Sequence, residues 1–193
     1  MLQRVDLLRH GEPVGGRKYR GQIDDPLSEK GWSEMRAATT GKHSWEVIVH
    51  SPLARCAEYA LELSTQLDIP MQADDRLKEI GFGEWEGLSG QEIRAQWPGA
   101  MQAFYHDPVN HQPDGAERLR SFYLRVTEAW EDIIARDDYE QVLLIAHAGV
   151  MRAIIAHVLK APLLSMYRMQ IPSASMISIL FSTERPPTVL FTA

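Results

Sequence analysis

The residues able to do chemistry in this chain sit just after short apolar runs. Val5 to Leu8 leads into Arg9-His10-Gly11-Glu12-Pro13, and Val47 to His50 leads into Ser51-Pro52-Leu53-Ala54-Arg55. Val142 to Ala146 leads into His147-Ala148-Gly149. An imidazole nitrogen can attack phosphorus and form a covalent intermediate, which splits one difficult step into two. The attacking nitrogen must be unprotonated, so the other ring nitrogen must be held as a donor. Arginine grips oxyanions with a forked set of N–H groups. His10 therefore reads as a nucleophile, with Arg9 and Arg55 as the clamps of a phosphoryl group. His147 reads as a further donor to developing charge. A leaving alkoxide also needs a proton. Glu79, in Arg76-Leu77-Lys78-Glu79-Ile80-Gly81-Phe82-Gly83, opens a glycine-rich loop beside aromatics and is the best candidate. Glu12, Asp24 and Glu84 compete with it on residue type alone.

These side chains can meet only if the elements before them are neighbours. Strands are expected at Val5–Leu8, Glu46–His50 and Val142–Ala146, with short ones at Pro70–Ala73, Met176–Phe181 and Thr188–Phe191. Ser28 reads as the cap of a helix running to about Gly41, and Ser51-Pro52 as a serine cap with proline in the first turn. Helices are also expected near 91–97 and 100–106, from Asp114 or Gly115 to about Arg136, and from Val150 to Leu159. Pro162 to Tyr167 reads as a helical turn, and 74–90 as irregular. Apolar strands alternating with helices predict an α/β fold, a three-layer α/β/α sandwich with a mostly parallel central sheet. Ligands of such sheets bind beyond the carboxyl ends of the strands. Two histidines and two arginines would then meet at one mouth, with two helix N-termini adding free N–H groups.

The bulk properties fit this reading. The 193 residues are near the size of one domain, and 45% are hydrophobic and 24% charged. A net charge of -6 argues against general nucleic-acid binding, although a few arginines can still set the field inside a cleft. One cysteine allows no internal disulfide and fits a reducing cytoplasm. The first residues lack the apolar core of a signal peptide, and no membrane helix is expected.

Several blocks together resemble the histidine phosphatase superfamily, whose fold is that of the phosphoglycerate mutases. Leu8-Arg9-His10-Gly11-Glu12 matches its signature loop. Residues Gly21 to Gly31 resemble its G-x-x-D-x-P-L-S/T-x-x-G stretch, and Ser51-Pro52-Leu53-Ala54-Arg55-Cys56 its S-P-L-x-R block. Leu77 to Gly87 is similar to L-x-E-x-x-F-G-x-W-E-G, and Ala146-His147-Ala148-Gly149 corresponds to S-H-G-G. The blocks run in order over nearly the whole chain. The resemblance implies a single domain, 1–193, with a small helical cap at about 81–118. It implies His10 as the phosphorylated nucleophile, with Arg9, Arg55 and His147 on the phosphate. It implies Glu79 as proton donor, Gln22 reaching the phosphate or the substrate's edge, and no metal or other cofactor. The Tyr19–Asp24 loop, Cys56 after Arg55 and the compact length look like the α-ribazole phosphatase branch, which serves cobalamin synthesis. The chain departs from the pattern at Ala148, at Glu58-Tyr59 and at Ala116 and Arg118. Arg118 is placed to touch a second anionic group.

The expected partner is a small phosphorylated substrate, with no nucleic acid and no membrane. The oligomeric state is not readable. A broad-specificity phosphatase or a phosphoglycerate mutase shares the same first step, and a non-catalytic phospholigand-binding module is the alternative of another class. His50 reads as a packing residue and Cys56 as a small buried one. Trp85, Trp97, Phe104 and Tyr105 read as packing within the cap.

Overall fold

A computed structural model describes residues 2–41, 43–136 and 138–191. Six strands form one sheet: β1 (Arg4–Arg9), β2 (Val47–His50), β3 (Met71–Ala73), β4 (Gln141–Ala146), β5 (Met176–Leu180) and β6 (Thr188–Phe191). Their order is β3-β2-β4-β1-β5-β6. The first four in that order run parallel; β5 pairs antiparallel with β1, and β6 with β5. The sheet is thus mostly parallel, with helices on both faces, as the α/β/α expectation has it. β4 lies between β1 and β2, with Arg9 opposite Ala146 and His50 opposite Ile145. The three loaded strand ends are therefore adjacent and level with one another.

The strands alternate their side chains between two apolar layers, as pleated backbone requires. Val5, Leu7, Val47, Val49, Val142 and Leu144 pack on one face with α5 (Leu119–Ile134) and α6 (Ala148–Val158). Leu8, Ile48, Leu143 and Ile145 pack on the other with α1 (Glu29–Ala38) and α2 (Ala54–Leu67). Asp6 is buried on this second face, where its carboxylate accepts from Arg4, Trp45 and Ser178. Among the described residues no helix is long and apolar enough to cross a membrane.

Two helix starts differ from expectation, for one reason: the chain before them is tied to the site. α2 begins at Ala54 with Leu53 as its cap residue, rather than at Ser51-Pro52. The Ser51 hydroxyl goes to His147, and the carboxylate of Asp24 accepts from Ala54 N–H at 2.6 Å. α5 begins at Leu119, past Asp114 and Gly115. Ala116 forms an antiparallel bridge with Phe82, and Glu117 N–H donates to the Gly81 carbonyl. The 113–117 loop is thereby laid against the 81–84 loop.

The segment expected to form the cap holds a tight turn at Gly83–Trp85, α3 (Gly90–Gln96) and α4 (Ala100–His106). Ser89 and Glu92 form a capping box at the start of α3. Trp85, Ile93 and Phe104 make a small core of their own, covered by Tyr19, Phe82, Leu88 and Tyr167.

Candidate active site

His10 follows β1 directly, and its N–H donates to the Ala146 carbonyl at the end of β4. Its Nδ1 lies 2.7 Å from the Gly11 carbonyl oxygen. A carbonyl only accepts, so Nδ1 carries the proton and Nε2 keeps its lone pair. The loop can hold this shape because it rests directly on the start of α1. A Cβ at Gly11 would stand 2.3 Å from the Gly31 carbonyl oxygen, and one at Gly31 would stand 2.1 Å from that of Glu12. Any side chain at either position would lift the loop off the helix.

The two arginines expected to clamp phosphate are fixed by carbonyls. Arg55 is 1% exposed and donates through Nη1 to Ile23 O and through Nη2 to Gly21 O, at 2.7 and 2.8 Å. Arg9 donates through Nη1 to Ile171 O at 2.5 Å. Among the described residues neither has a carboxylate within ion-pair distance. Burial pulls both guanidiniums below their ordinary pKa, and nearby Glu79 opposes that fall. The Nε atoms of Arg9 and Arg55 are buried without a hydrogen-bond partner. So is Nδ1 of His147.

His147 is fully buried, and its ring centroid lies 5.1 Å from that of His10. Its Nε2 is 2.7 Å from Ser51 Oγ. Burial, then the charges of Arg9 and Arg55, hold the His10 pKa well below 6.5. Burial, then Arg55, does the same to His147. Both rings are thus neutral at neutral pH. Cys56 packs beside His147, with Sγ 3.8 Å from Nε2, and burial pushes its thiol up to about 12.

Glu79 lies between the cap loop and α6. Its Oε1 accepts from Ile80 N–H at 3.0 Å and its Oε2 from Gly149 N–H, in the first turn of α6, at 3.2 Å. Gln22 is exposed and donates to the Glu79 carbonyl at 3.3 Å. The three competing carboxylates are engaged elsewhere. Glu12 pairs with Lys30, Asp24 holds the start of α2, and Glu84 is exposed beside Asp114 N–H.

The structure thus brings Arg9, His10, Arg55, Glu79 and His147 together, with Gln22 at the rim. Arg118 is exposed, at the start of α5. Sequence reading missed Ser51 as the partner of His147 and Asp24 as the cap of α2. Neither contact leaves a local signal, because each joins residues far apart in the chain.

The arrangement is an anion pocket with a bare imidazole nitrogen inside it. A model of the histidine phosphatase superfamily, branch 1, matches residues 5–193. The chain belongs to that family. As a histidine phosphatase it is 30% identical over 195 residues to phosphoserine phosphatase 1 of Hydrogenobacter thermophilus, covering 98% of this chain and 91% of that one. It is 33% identical over 172 residues to glucosyl-3-phosphoglycerate phosphatase of Mycobacterium tuberculosis, covering 83% of this chain and 77% of that one. A solved mycobacterial glucosyl-3-phosphoglycerate phosphatase in complex with VO3 superposes with a TM-score of 0.87 at 28% identity, covering 98% of each chain. The α-ribazole phosphatase of Shigella flexneri superposes at 0.83, covering 98% of this chain and 96% of that one. At 24% identity it shares the fold alone. The histidine phosphatase assignment stands on the family match; the branch expected from the Tyr19–Asp24 loop has only this fold-level likeness.

Proposed function

We propose that this histidine phosphatase hydrolyses a small phosphomonoester through a phosphohistidine at His10. One observation carries the reading: three buried donors without partners, on Arg9, Arg55 and His147, surround a histidine whose Nε2 is free. Nε2 attacks phosphorus while Nδ1–H stays on the Gly11 carbonyl. Arg9, Arg55 and His147 hold the three non-bridging oxygens and offset their negative charge. Glu79, as the carboxylic acid, gives its proton to the departing oxygen. As carboxylate it then takes a proton from the water that cleaves the P–N bond. The water's oxygen leaves in inorganic phosphate, and His10 is restored. Gln22 holds the Glu79 backbone and reaches the substrate's edge.

The relatives named for phosphoserine and glucosyl-3-phosphoglycerate support a substrate among small polar hydroxy compounds bearing phosphate. α-Ribazole 5′-phosphate, favoured by the Tyr19–Asp24 loop, has no comparable support and is one arm of the test. The test is a panel of initial rates on p-nitrophenyl phosphate, phosphoserine, 3-phosphoglycerate, glucosyl-3-phosphoglycerate and α-ribazole 5′-phosphate. Wild type releases inorganic phosphate and accumulates an acid-labile phosphoenzyme on rapid quench. His10→Ala does neither. Wild-type rates in His10→Ala would sink the mechanism. Return of phosphate to a sugar acid instead of water would make the protein a mutase, and no turnover of any ester would leave a binding module.

A further inference from the structure

We infer that Arg125, paired with Glu117, is a positioning residue for Glu79: it holds the backbone of the loop that carries the acid and touches neither substrate nor the reacting atoms. The inference rests on the phosphatase reading above and adds to it the residues that aim its proton donor. Glu79 sits on an irregular loop, and its carboxylate accepts from two backbone N–H groups, those of Ile80 and Gly149. Among the described residues no cation stands within ion-pair distance of it. Such a cation would favour the ionised form, whereas the group assigned to protonate the leaving oxygen must carry a proton. The position of this acid therefore has to come through its backbone.

Arg125, on α5, supplies that hold. Its Nη1 donates to the carbonyls of Arg76 and Lys78 at 2.6 and 2.8 Å, and its Nη2 to that of Glu79 itself at 3.2 Å. Nε and Nη2 also donate to the two carboxylate oxygens of Glu117, at 2.7 and 2.8 Å. These bonds use all five N–H groups of the guanidinium. Arg9 and Arg55 each keep a buried Nε without a partner, whereas Arg125 has no donor left for a substrate. Glu117 grips the loop beyond the acid. Its N–H donates to the Gly81 carbonyl at 2.9 Å, and its Oε2 accepts from Gly81 N–H at 3.4 Å. Gln112 fixes Glu117 in turn, donating to its carbonyl at 2.7 Å and accepting from Leu119 N–H at 3.0 Å. The loop is thus held at Arg76, Lys78, Glu79 and Gly81, on both sides of the acid. The Arg125 and Glu117 side chains are 21% and 22% exposed, and a two-pronged pair so far out of water keeps its geometry better than a surface one. The other seat of the carboxylate depends on the same turn of α5. The Arg125 guanidinium lies 4.8 Å from the centre of the Phe122 ring, and a Cβ at Gly149 would stand 3.2 Å from Phe122 Cζ. Phe122 and Arg125 are three apart, so one helix face sets both the acid loop and the start of α6.

The test is a double-mutant cycle read on two leaving groups, p-nitrophenyl phosphate and the alkyl phosphate best turned over in the panel above. Arg125→Met keeps an apolar stem for Phe122 and removes the fork. Its kcat on the alkyl ester should fall about thirtyfold or more, and on p-nitrophenyl phosphate less than about threefold, because a displaced acid penalises the leaving group that needs its proton. In a Glu79→Gln background the same substitution should add less than about threefold on either ester, since the two residues act as one unit. Glu117→Gln breaks the ion pair and leaves the carbonyl contacts of Arg125 in place. It should show a weaker bias of the same sign, and it carries the test where Arg125→Met does not fold. Arg125→Lys keeps the charge without the fork and should not restore wild-type rates. A merely structural Arg125 would depress both esters alike. That result, an undiminished effect in Glu79→Gln, or full rescue by lysine would overturn the positioning role. Wild type inert toward both esters would instead sink the phosphatase reading itself.

Discussion

Ser51 Oγ lies 2.7 Å from Nε2 of His147, and both side chains are fully buried. Ser51 Oγ also accepts from Leu53 N–H, at 3.4 Å, so its own proton is free to go to Nε2. Donation from the hydroxyl makes Nε2 the acceptor and leaves the ring proton on Nδ1. Nδ1 is the buried atom with no protein partner. The serine thus sets the tautomer in which His147 can donate to a phosphate oxygen. Ser51→Ala should lower kcat/KM about tenfold, equivalent to roughly 1.4 kcal/mol, a typical net worth for one such bond. Nitrogen-15 shifts of the His147 ring decide it: wild type carries the proton on Nδ1, and the variant shows a mixture. A wild-type proton on Nε2 would refute the assignment.

Stability should fall with acid through the two site histidines. Both have folded pKa values well below 6.5, whereas in the unfolded chain they titrate near 6.5. The unfolded state therefore binds more protons as pH drops below about 7, and protons pull the equilibrium toward it. Their contribution is fully present above that range. It is lost as pH falls toward the folded values, by up to about 1.4 kcal/mol per pH unit for each ring. Urea unfolding at about pH 7.5 and about pH 5.5 gives the slope. In His10→Gln/His147→Gln the slope should shrink, and an unchanged slope would mean that the rings titrate normally. The acid limb of kcat/KM should likewise lie below 6.5, since in the proposed mechanism His10 attacks as the neutral ring.

Glu79 should matter in proportion to the leaving group. Glu79→Gln should cost about 10²- to 10⁴-fold in kcat on phosphoserine, whose alkoxide cannot leave unprotonated. On p-nitrophenyl phosphate, whose phenolate leaves unaided, the loss should stay under about tenfold. Gly149→Ala tests the seat of this carboxylate. A Cβ there would stand 2.1 Å from Glu79 Oε1, so the carboxylate must swing away. The variant should show the same leaving-group bias. An equal loss on both substrates would assign Glu79 to binding instead.

The features legible in the sequence and those hidden in it divide along a physical line. The strand ends were legible because buried parallel strands read as continuous apolar runs, and the residues next in the chain fall at the mouth of the sheet. Arg9, His10 and His147 come directly from that rule, and Arg55 from its odd place near a helix start. Ser51 was misread because serine before proline is a strong local cap signal, and a hydrogen bond across 96 residues leaves no local trace. Asp114-Gly115 misled in the same way. Aspartate is a strong cap residue in general, but the bridge between Phe82 and Ala116 holds that loop on the 81–84 segment.

Asp24 should behave as the hinge pin of Arg55 rather than as an acid. Its Oδ1 accepts from Ala54 N–H at the start of α2, at 2.6 Å, and the next residue is Arg55. Arg55 in turn donates to the carbonyls of Gly21 and Ile23, in the loop that carries Asp24. Two side chains therefore tie the loop to the helix, Asp24 at Ala54 and Arg55 at Gly21 and Ile23. Asp24→Ala should cost about 1 kcal/mol of stability, the usual worth of such a cap, and release the Ala54 end of the tie. The clamp then loses its place, so KM and the inhibition constant for inorganic phosphate should rise together by about tenfold, with a smaller change in kcat. Asp24→Asn keeps a carbonyl oxygen for Ala54 N–H and should restore most of the affinity. The opposite pattern is diagnostic. If alanine and asparagine both reduced kcat alike on alkyl phosphates while phosphate inhibition stayed put, Asp24 would be supplying the proton. Glu79 would then lose that role.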